Sequence, residues 1–544
     1  MADAGRDRLA TGAIVLLVAA IIGLPVARLV MVAAGDGPAA LAAALGGPLA
    51  ARAILNSLWT AASVALLSVA VGTAAALVTE RGTARGRGVL RTAMLAQLLV
   101  PPFVLAFGWT RAFGPRGLTD QLLGLELPGL YGPAGIVLVV AVAATPLAWL
   151  VVAGALATRA EPELELAARA SGAGPTRAFV TVTLPLLRPA LLAAAVVTFV
   201  FGMNAFGVPA ILGSPAGFST ITTRLYQDLA FSSSPEAFAR AIALAATLVV
   251  LALVVVGSAD ALLGGTDTRR TGQTSGMAPA TGGSRWPAAV LLAGLLVTTG
   301  VPLLATGLTA LTRAAGLAPV PENWTLGNFG LAVSDSRFAG ALLRSIVLAA
   351  GAASLVLVLG AVMAGALRGR RARIGGTALT LGFAVPGSAL AVAVLVAYGG
   401  LLRNTLLIIL VAYVAKFWAL GHRQLAGSLD RLPVDALRAA RASGAGPLTT
   451  LRTVAAPILR PSIAAAWILV FVFGLHELTM STLLYGPGTA TLAVHVLNVQ
   501  QLGDPTVTAA LAVILTGLVG VAATPLLVVG RRSAATRPTG PART

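Results

Sequence analysis

Ala167-Ala168-Arg169-Ala170-Ser171-Gly172-Ala173-Gly174-Pro175 recurs letter for letter as Ala439-Ala440-Arg441-Ala442-Ser443-Gly444-Ala445-Gly446-Pro447. Downstream, Leu187-Arg188-Pro189 returns as Leu459-Arg460-Pro461, and Phe199-Val200-Phe201-Gly202 returns within Val470–Gly474. The spacing holds throughout, so two whole segments correspond and the chain is an internal duplication. Each copy carries its own folding instructions. Pro162 suits a first helical turn, Glu161, Glu163 and Glu165 favour the positive end of a helix dipole, and Ala is the best helix former. Gly172 permits left-handed backbone and Pro175 cannot continue a helix. The stretch predicts a short helix, a sharp break, and a second helical run from Thr176 to Leu187. Small residues let another protein's surface approach closely. Two copies with the same break favour a docking element over a plain re-entry turn.

The rest of the chain is membrane. Of 544 residues, 57% are hydrophobic and only 10% charged, against about 25% charged in an ordinary soluble domain. Several apolar runs exceed the ~20 residues that cross a bilayer. The formal charge of +19 comes almost entirely from Arg in short loops between those runs. No basic stretch is interleaved with the aromatics that a nucleic-acid platform uses, so nucleic acid is not a partner. Without cysteine there is no disulfide, thiolate nucleophile or Cys-ligated metal.

Apolar runs predict twelve spans, near 9–34, 54–79, 89–113, 133–157, 190–212 and 240–263, then 287–311, 342–367, 374–399, 404–427, 462–485 and 507–530. The first is longer than a secretory signal core and reads as a retained helix. The domains are then a first half, 1–263, with its repeated loop at about 158–189; a Gly/Thr/Ser-rich linker, 264–286; and a second half, 287–544, with its loop at about 428–461. Arginines test this map. Arg81, Arg85, Arg87 and Arg91 share one side with Arg159, Arg169, Arg177 and Arg188, and the second half repeats the bias. By the positive-inside rule both repeated loops and both termini are cytoplasmic. Six spans per half put the two copies in the same orientation, as parallel repeats.

The repeated loop resembles the "EAA" loop of bacterial ABC-importer permeases, whose pattern is Glu-Ala-Ala, three residues, Gly, nine residues, then Ile-x-Leu-Pro. Ala167, Ala168, Gly172, Val182, Leu184 and Pro185 fill those places, and Ala439, Ala440, Gly444, Val454 and Pro457 fill them again. The glutamate is missing: Leu166 and Arg438 stand there, with Glu165 and Asp435 nearby. The resemblance covers most of the chain. It implies an all-α polytopic protein of about twelve transmembrane helices, as two parallel six-helix repeats of the type I ABC importer (MetI-like) permease fold. It also implies that Glu165, Ala167, Ala168, Gly172, Asp435, Ala439, Ala440 and Gly444 couple to a partner ATPase dimer. An extracytoplasmic solute-binding protein would deliver the cargo. Two copies in one chain resemble fused permeases of the ferric-iron type, as do Leu99-Val100-Pro101-Pro102-Phe103 and Phe206-Gly207-Val208-Pro209-Ala210. Thiamine, polyamine and phosphonate are the competing cargoes.

Inside the membrane, His476-Glu477 occupies the place of Asn204-Ala205 in the first half. Ionisable groups at this depth point to function. Asn204, His476 and Glu477 are therefore expected on the substrate path, or else as a packing pair satisfied by backbone or as groups nearer the interface. No second His stands at helical spacing, so no metal site is expected. Lys416, the only lysine, could with Trp418 face the path, but is expected rather to snorkel to an interface. It has no neighbouring glycine, and a P-loop needs Gly-Lys-Ser/Thr. The chain thus binds no ATP in that way, and cofactors, ATP with Mg, belong to the partner. A major-facilitator-type secondary transporter is the rival class, but its long loop lies between spans six and seven. A membrane enzyme would need Asp-x-x-Asp, His-Glu-x-x-His or Gly-x-Ser-x-Gly, and none is present.

Overall fold

The computed structural model describes residues 19–35, 37–81, 84–159, 162–263, 286–366, 385–429 and 432–535. Among these the chain is helical, with one isolated bridge between Thr312 and Trp324 and no strand. Nine helices are long and apolar enough to cross a membrane, and eleven if each of two bent pairs counts as one span. Proline sets many of the starts. Pro48, Pro102, Pro133, Pro235 and Pro505 are each the first residue of a helix, where the missing N–H costs no bond. Residues 264–285 of the linker 264–286 and much of the ninth predicted span lie outside the described residues.

Three predicted spans are not straight. The third breaks at Leu99–Pro101 into Gly86–Leu98 and Pro102–Leu123, bent by 104°. The fifth ends at Asn204 and resumes as Gly207–Leu212; the eleventh ends at Leu475 and resumes as Thr479–Leu484. Hydropathy sees an unbroken apolar run in each case. At the third span the physical cause is Pro101-Pro102, which cannot donate to the preceding turn. The ninth span carries the same device: Pro386 caps the helix Gly387–Leu402 with φ −59° and ψ 139°, as Pro101 caps Pro102–Phe113 with φ −59° and ψ 128°.

Proline also widens helices. Single π-turns at Ala19–Gly23, Phe179–Thr183, Leu296–Gly300 and Leu451–Ala455 each precede a proline by two residues: Pro25, Pro185, Pro302 and Pro457. A proline clashes with the carbonyl one turn back and offers it no N–H, and a widened turn relieves both. Aromatic donors reach two of these turns: Trp109 Nε1–H bonds the Thr298 carbonyl at 2.9 Å, and the Tyr398 hydroxyl bonds that of Ala20 at 2.6 Å.

The helices form two compact units, and each draws on both sequence halves. One comprises residues 39–332 and 499–516. Its centre is the trio Pro48–Arg81, Pro133–Arg159 and Leu184–Asn204, and Val301–Leu311 packs on Pro102–Phe113. The other comprises residues 1–38, 333–498 and 517–544. Its centre is Ser336–Ala366, Leu406–Leu429 and Ala456–Leu475, and Leu24–Gly35 packs on Gly387–Leu402. Each unit therefore takes its first span from the other sequence half. Lipid offers helices little hydrophobic reason to pair, so small residues set the crossings. A Cβ on Gly72 would sit 2.7 Å from Ala148 Cβ and 2.8 Å from Trp149 N; one on Gly360 would sit 3.2 Å from His422 N.

Candidate coupling loops and a polar site at membrane depth

The repeated loops fold as the sequence predicts. Pro162–Ala170 and Val434–Ala442 are helices of nine residues each. The first ends in a Schellman turn: Ala173 N–H donates to Ala168 O and Gly172 N–H to Arg169 O, both at 3.0 Å. Gly172 has φ +88° and Gly444 φ +76°, the left-handed backbone glycine adopts without a side-chain penalty. Ala445 N–H donates to Ala440 O at 3.0 Å in the second copy. Nothing lies within 4 Å of a Cβ built on either glycine. They are required by the backbone, not by space. Ala167 and Ala439 are exposed, Ala168 and Ala440 half-buried, so each helix offers one small-residue face to the outside.

The acidic residues beside the two loops behave differently. Glu165 Oε2 accepts from Arg81 Nη1 at 2.7 Å and from Thr183 Oγ1 at 2.9 Å, bracing the loop helix to the end of the second span and to the returning helix. Asp435 is 96% exposed, and Arg438 at 3.7 Å is its ion-pair neighbour. Leu437 stands in the second copy where Glu165 stands in the first. A contact between residues 81 and 165 leaves no sequence signal.

At the far ends of the same spans the duplication reaches individual hydrogen bonds. Ser57 Oγ accepts from Ile221 N–H at 2.8 Å, and Ser345 Oγ from Leu492 N–H at 2.8 Å. Asn56 donates to the Ser219 carbonyl and Arg344 to that of Ala490. Charge is then handled differently. Asp228 is clamped between Arg224 at 2.6 Å and Arg240 at 2.7 Å. In the other unit the buried His495 has Nε2 3.7 Å from Asp335 Oδ2. Burial pushes His495 below its ordinary value, Asp335 pulls it up, and Arg337 and Arg344 push it down further.

The expected path residues fall in two places. Asn204, half-buried in the first unit, donates Nδ2–H to Val200 O of its own helix at 2.9 Å. His476 and Glu477 sit at the break of the eleventh span in the second unit. Glu477 Oε1 accepts from Met480 N–H at 2.8 Å, holding the start of Thr479–Leu484. Tyr413, fully buried, shares a 2.7 Å hydrogen bond with Ser481 Oγ and donates to the Glu477 carbonyl at 3.4 Å. The structure adds Lys416 and corrects its expected role. It does not snorkel; Nζ donates to the Val385 carbonyl at 2.9 Å, beside Pro386, which caps Gly387–Leu402. That carbonyl lies just before the capping Pro386, outside the helix that Pro386 opens, and a long donor nearby is the cheapest way to satisfy it in a membrane. The repeat of Val100-Pro101 as Val385-Pro386 was the available signal.

The described chain is thus polytopic and α-helical, built as two repeats, each with a helix–glycine–helix loop and a span broken near its end. A family model described as the binding-protein-dependent transport system inner membrane component matches twice, over residues 68–264 and 356–529. The chain belongs to that family. It is 26% identical over 485 residues to the ferric transport system permease protein FbpB of Actinobacillus pleuropneumoniae, covering 85% of this chain and 68% of that one. It is 23% identical over 457 residues to a Fe(3+)-transport system permease of Haemophilus influenzae, covering 82% and 84%. The molybdenum transport system permease ModB of Mycobacterium tuberculosis is 34% identical over 226 residues, covering 41% of this chain and 83% of its own.

Proposed function

We propose that this chain imports ferric iron across the cytoplasmic membrane by alternating access, powered by a separate ATPase. Two permease halves, 1–263 and 287–544, are joined by a cytoplasmic linker, 264–286, and both termini are cytoplasmic. An ATPase dimer seats on Pro162–Ala170 and Val434–Ala442, where Ala167, Ala168, Gly172, Ala439, Ala440 and Gly444 form the contact and Glu165 and Asp435 flank it. ATP and Mg are held by that partner. A solute-binding protein docks on the opposite face, and Asn204, His476 and Glu477 contact the cargo.

One observation carries the iron reading: proteins named for ferric transport align with more than four-fifths of the chain, through both repeats. The molybdenum permease, more alike residue by residue, aligns over 41%, which makes an oxyanion the second reading. The test is uptake by cells expressing the chain with its ATPase and binding protein, supplied with ⁵⁵Fe or ⁹⁹Mo-molybdate. ATP-dependent ⁵⁵Fe accumulation is expected. Molybdate accumulation without iron would replace the cargo, and accumulation of either without the ATPase would sink the class.

A further inference from the structure

Helix breaks at membrane depth free backbone groups that need partners, and charged side chains there are costly. The first unit supplies an internal control. It has the same proline-capped helix, opened by Pro101 as the second unit's is by Pro386, and the same break after Asn204, yet Ala205 stands where the second has Glu477. The stretch corresponding to Lys416 is Ala141-Val142-Ala143-Ala144-Thr145; its place follows from the shared crossing, Gly72 on Ala148 and Trp149 against Gly360 on Gly421 and His422. The architecture is thus built once without charges, and Lys416 and Glu477 are not required by it.

The two charges converge without closing on each other. No ion pair among the described residues joins Lys416 to Glu477. Lys416 is held on Val385 O, two residues before Gly387, and Glu477 Oε1 lies 3.9 Å from where Gly387 would carry a Cβ. Both residues are half-buried. Around them, Ser388 Oγ and His476 Nδ1 are buried with no hydrogen-bond partner among the described residues. Nor do three His, Asp, Glu or Cys side chains gather there or elsewhere among those residues. One carboxylate, already accepting from Met480 N–H, with an orphaned hydroxyl and imidazole nitrogen beside it, can touch a cation but cannot cage it.

We propose that Glu477 is a contact point for a hard multivalent cation, and that Lys416 is the charge that makes it release. The proposal rests on the iron reading. Coulomb attraction is weakly screened at this depth, so a lone carboxylate would hold a trivalent ion too long to pass it on. A fixed ammonium nearby repels the same ion and shortens its stay, the condition for conduction through any binding site. The first unit, with neither group, has no such station.

The test uses the assembled importer. Lys416→Gln keeps a donor for Val385 O and removes the charge. It should bind Tb³⁺, read by luminescence on the purified complex, at least ten-fold more tightly than the parent, and ⁵⁵Fe uptake should fall at least ten-fold at equal membrane abundance. Lys416→Arg, which keeps the charge, should behave as the parent. Glu477→Gln added to Lys416→Gln should abolish the tight Tb³⁺ binding without restoring uptake. Unchanged Tb³⁺ affinity in Lys416→Gln overturns the assignment, and so does full ⁵⁵Fe uptake by the double variant, which would make the pair mere mutual neutralisation. If Lys416→Gln is lost from the membrane, Lys416→His replaces it. Its Tb³⁺ affinity should rise with pH as the imidazole loses its charge, and a flat profile overturns the assignment. Absence of ⁵⁵Fe uptake by the parent overturns the iron reading separately, because the Tb³⁺ arm needs no transport.

Discussion

The two units share one helical trio, one proline-capped helix, one broken span and one loop, yet they place their charges differently. Among the described residues the first unit has its ion pairs at Arg81–Glu165, Arg91–Glu80 and Arg224–Asp228–Arg240, and carries no charge at the break after Asn204. The second leaves Asp435 in solvent, puts a histidine opposite Asp335, and carries Lys416 beside Pro386 and Glu477 at its break. Duplication thus separates what the fold demands from what one copy has acquired. Features present twice are architectural; features present once are specialised.

The sharpest way to break that division is at the crossings, which both units share. Gly72→Ala should cost about 3 kcal/mol and Gly360→Ala about 1, as overpacking of tight and looser contacts, read by thermal unfolding in detergent. Equal losses would mean that the two crossings are not distinguished by their 2.7 and 3.2 Å clearances. Next come the loops. Gly172→Leu and Gly444→Leu each strain a left-handed residue by about 1–2 kcal/mol without a collision inside the chain. Solute-stimulated ATP turnover should vanish in the double variant while insertion persists. Normal turnover would remove the docking role.

A smaller contrast separates the acids. Glu165→Gln breaks a partly buried brace and should cost about 1 kcal/mol, whereas Asp435→Asn should leave the melting curve unchanged. The smallest effect is the pH response of the outer ends. Because burial depresses His495 in the folded chain, the unfolded chain takes up its proton first. Stability should be full above histidine's usual value of about 6.5 and decline as pH falls from there through the lowered folded value. His495→Gln should flatten that part of the profile, and Arg224, always charged, should contribute no such slope. Unfolding midpoints measured from pH 8 to 5 would decide it.

What the sequence made legible follows from how local each signal is. The loop helices, their glycine turns and the duplication are written in contiguous letters, and they fold where those letters put them. The breaks at Ala205 and His476 were missed because hydropathy averages over a window and a kink does not change the average. The misreading of Lys416 has another source. Its hydrogen bond depends on the carbonyl just before Pro386, in another segment, and snorkelling is the better guess only when every nearby carbonyl is already bonded. Arg81 with Glu165 is the pure case of a long-range contact, invisible until the spans are packed.

Each unit borrows its opening helix from the distant half of the chain, and this interlock has a consequence for assembly. A cut in the linker would yield two fragments, each with an uncovered seam where the other's first span belongs. Made together, residues 1–275 and 276–544 should co-purify without any covalent tie. Made singly, each should be degraded or should pair with its own kind. The polypeptide link then serves mainly to keep the two partners in equal number, and the clasp itself is done by crossed helices.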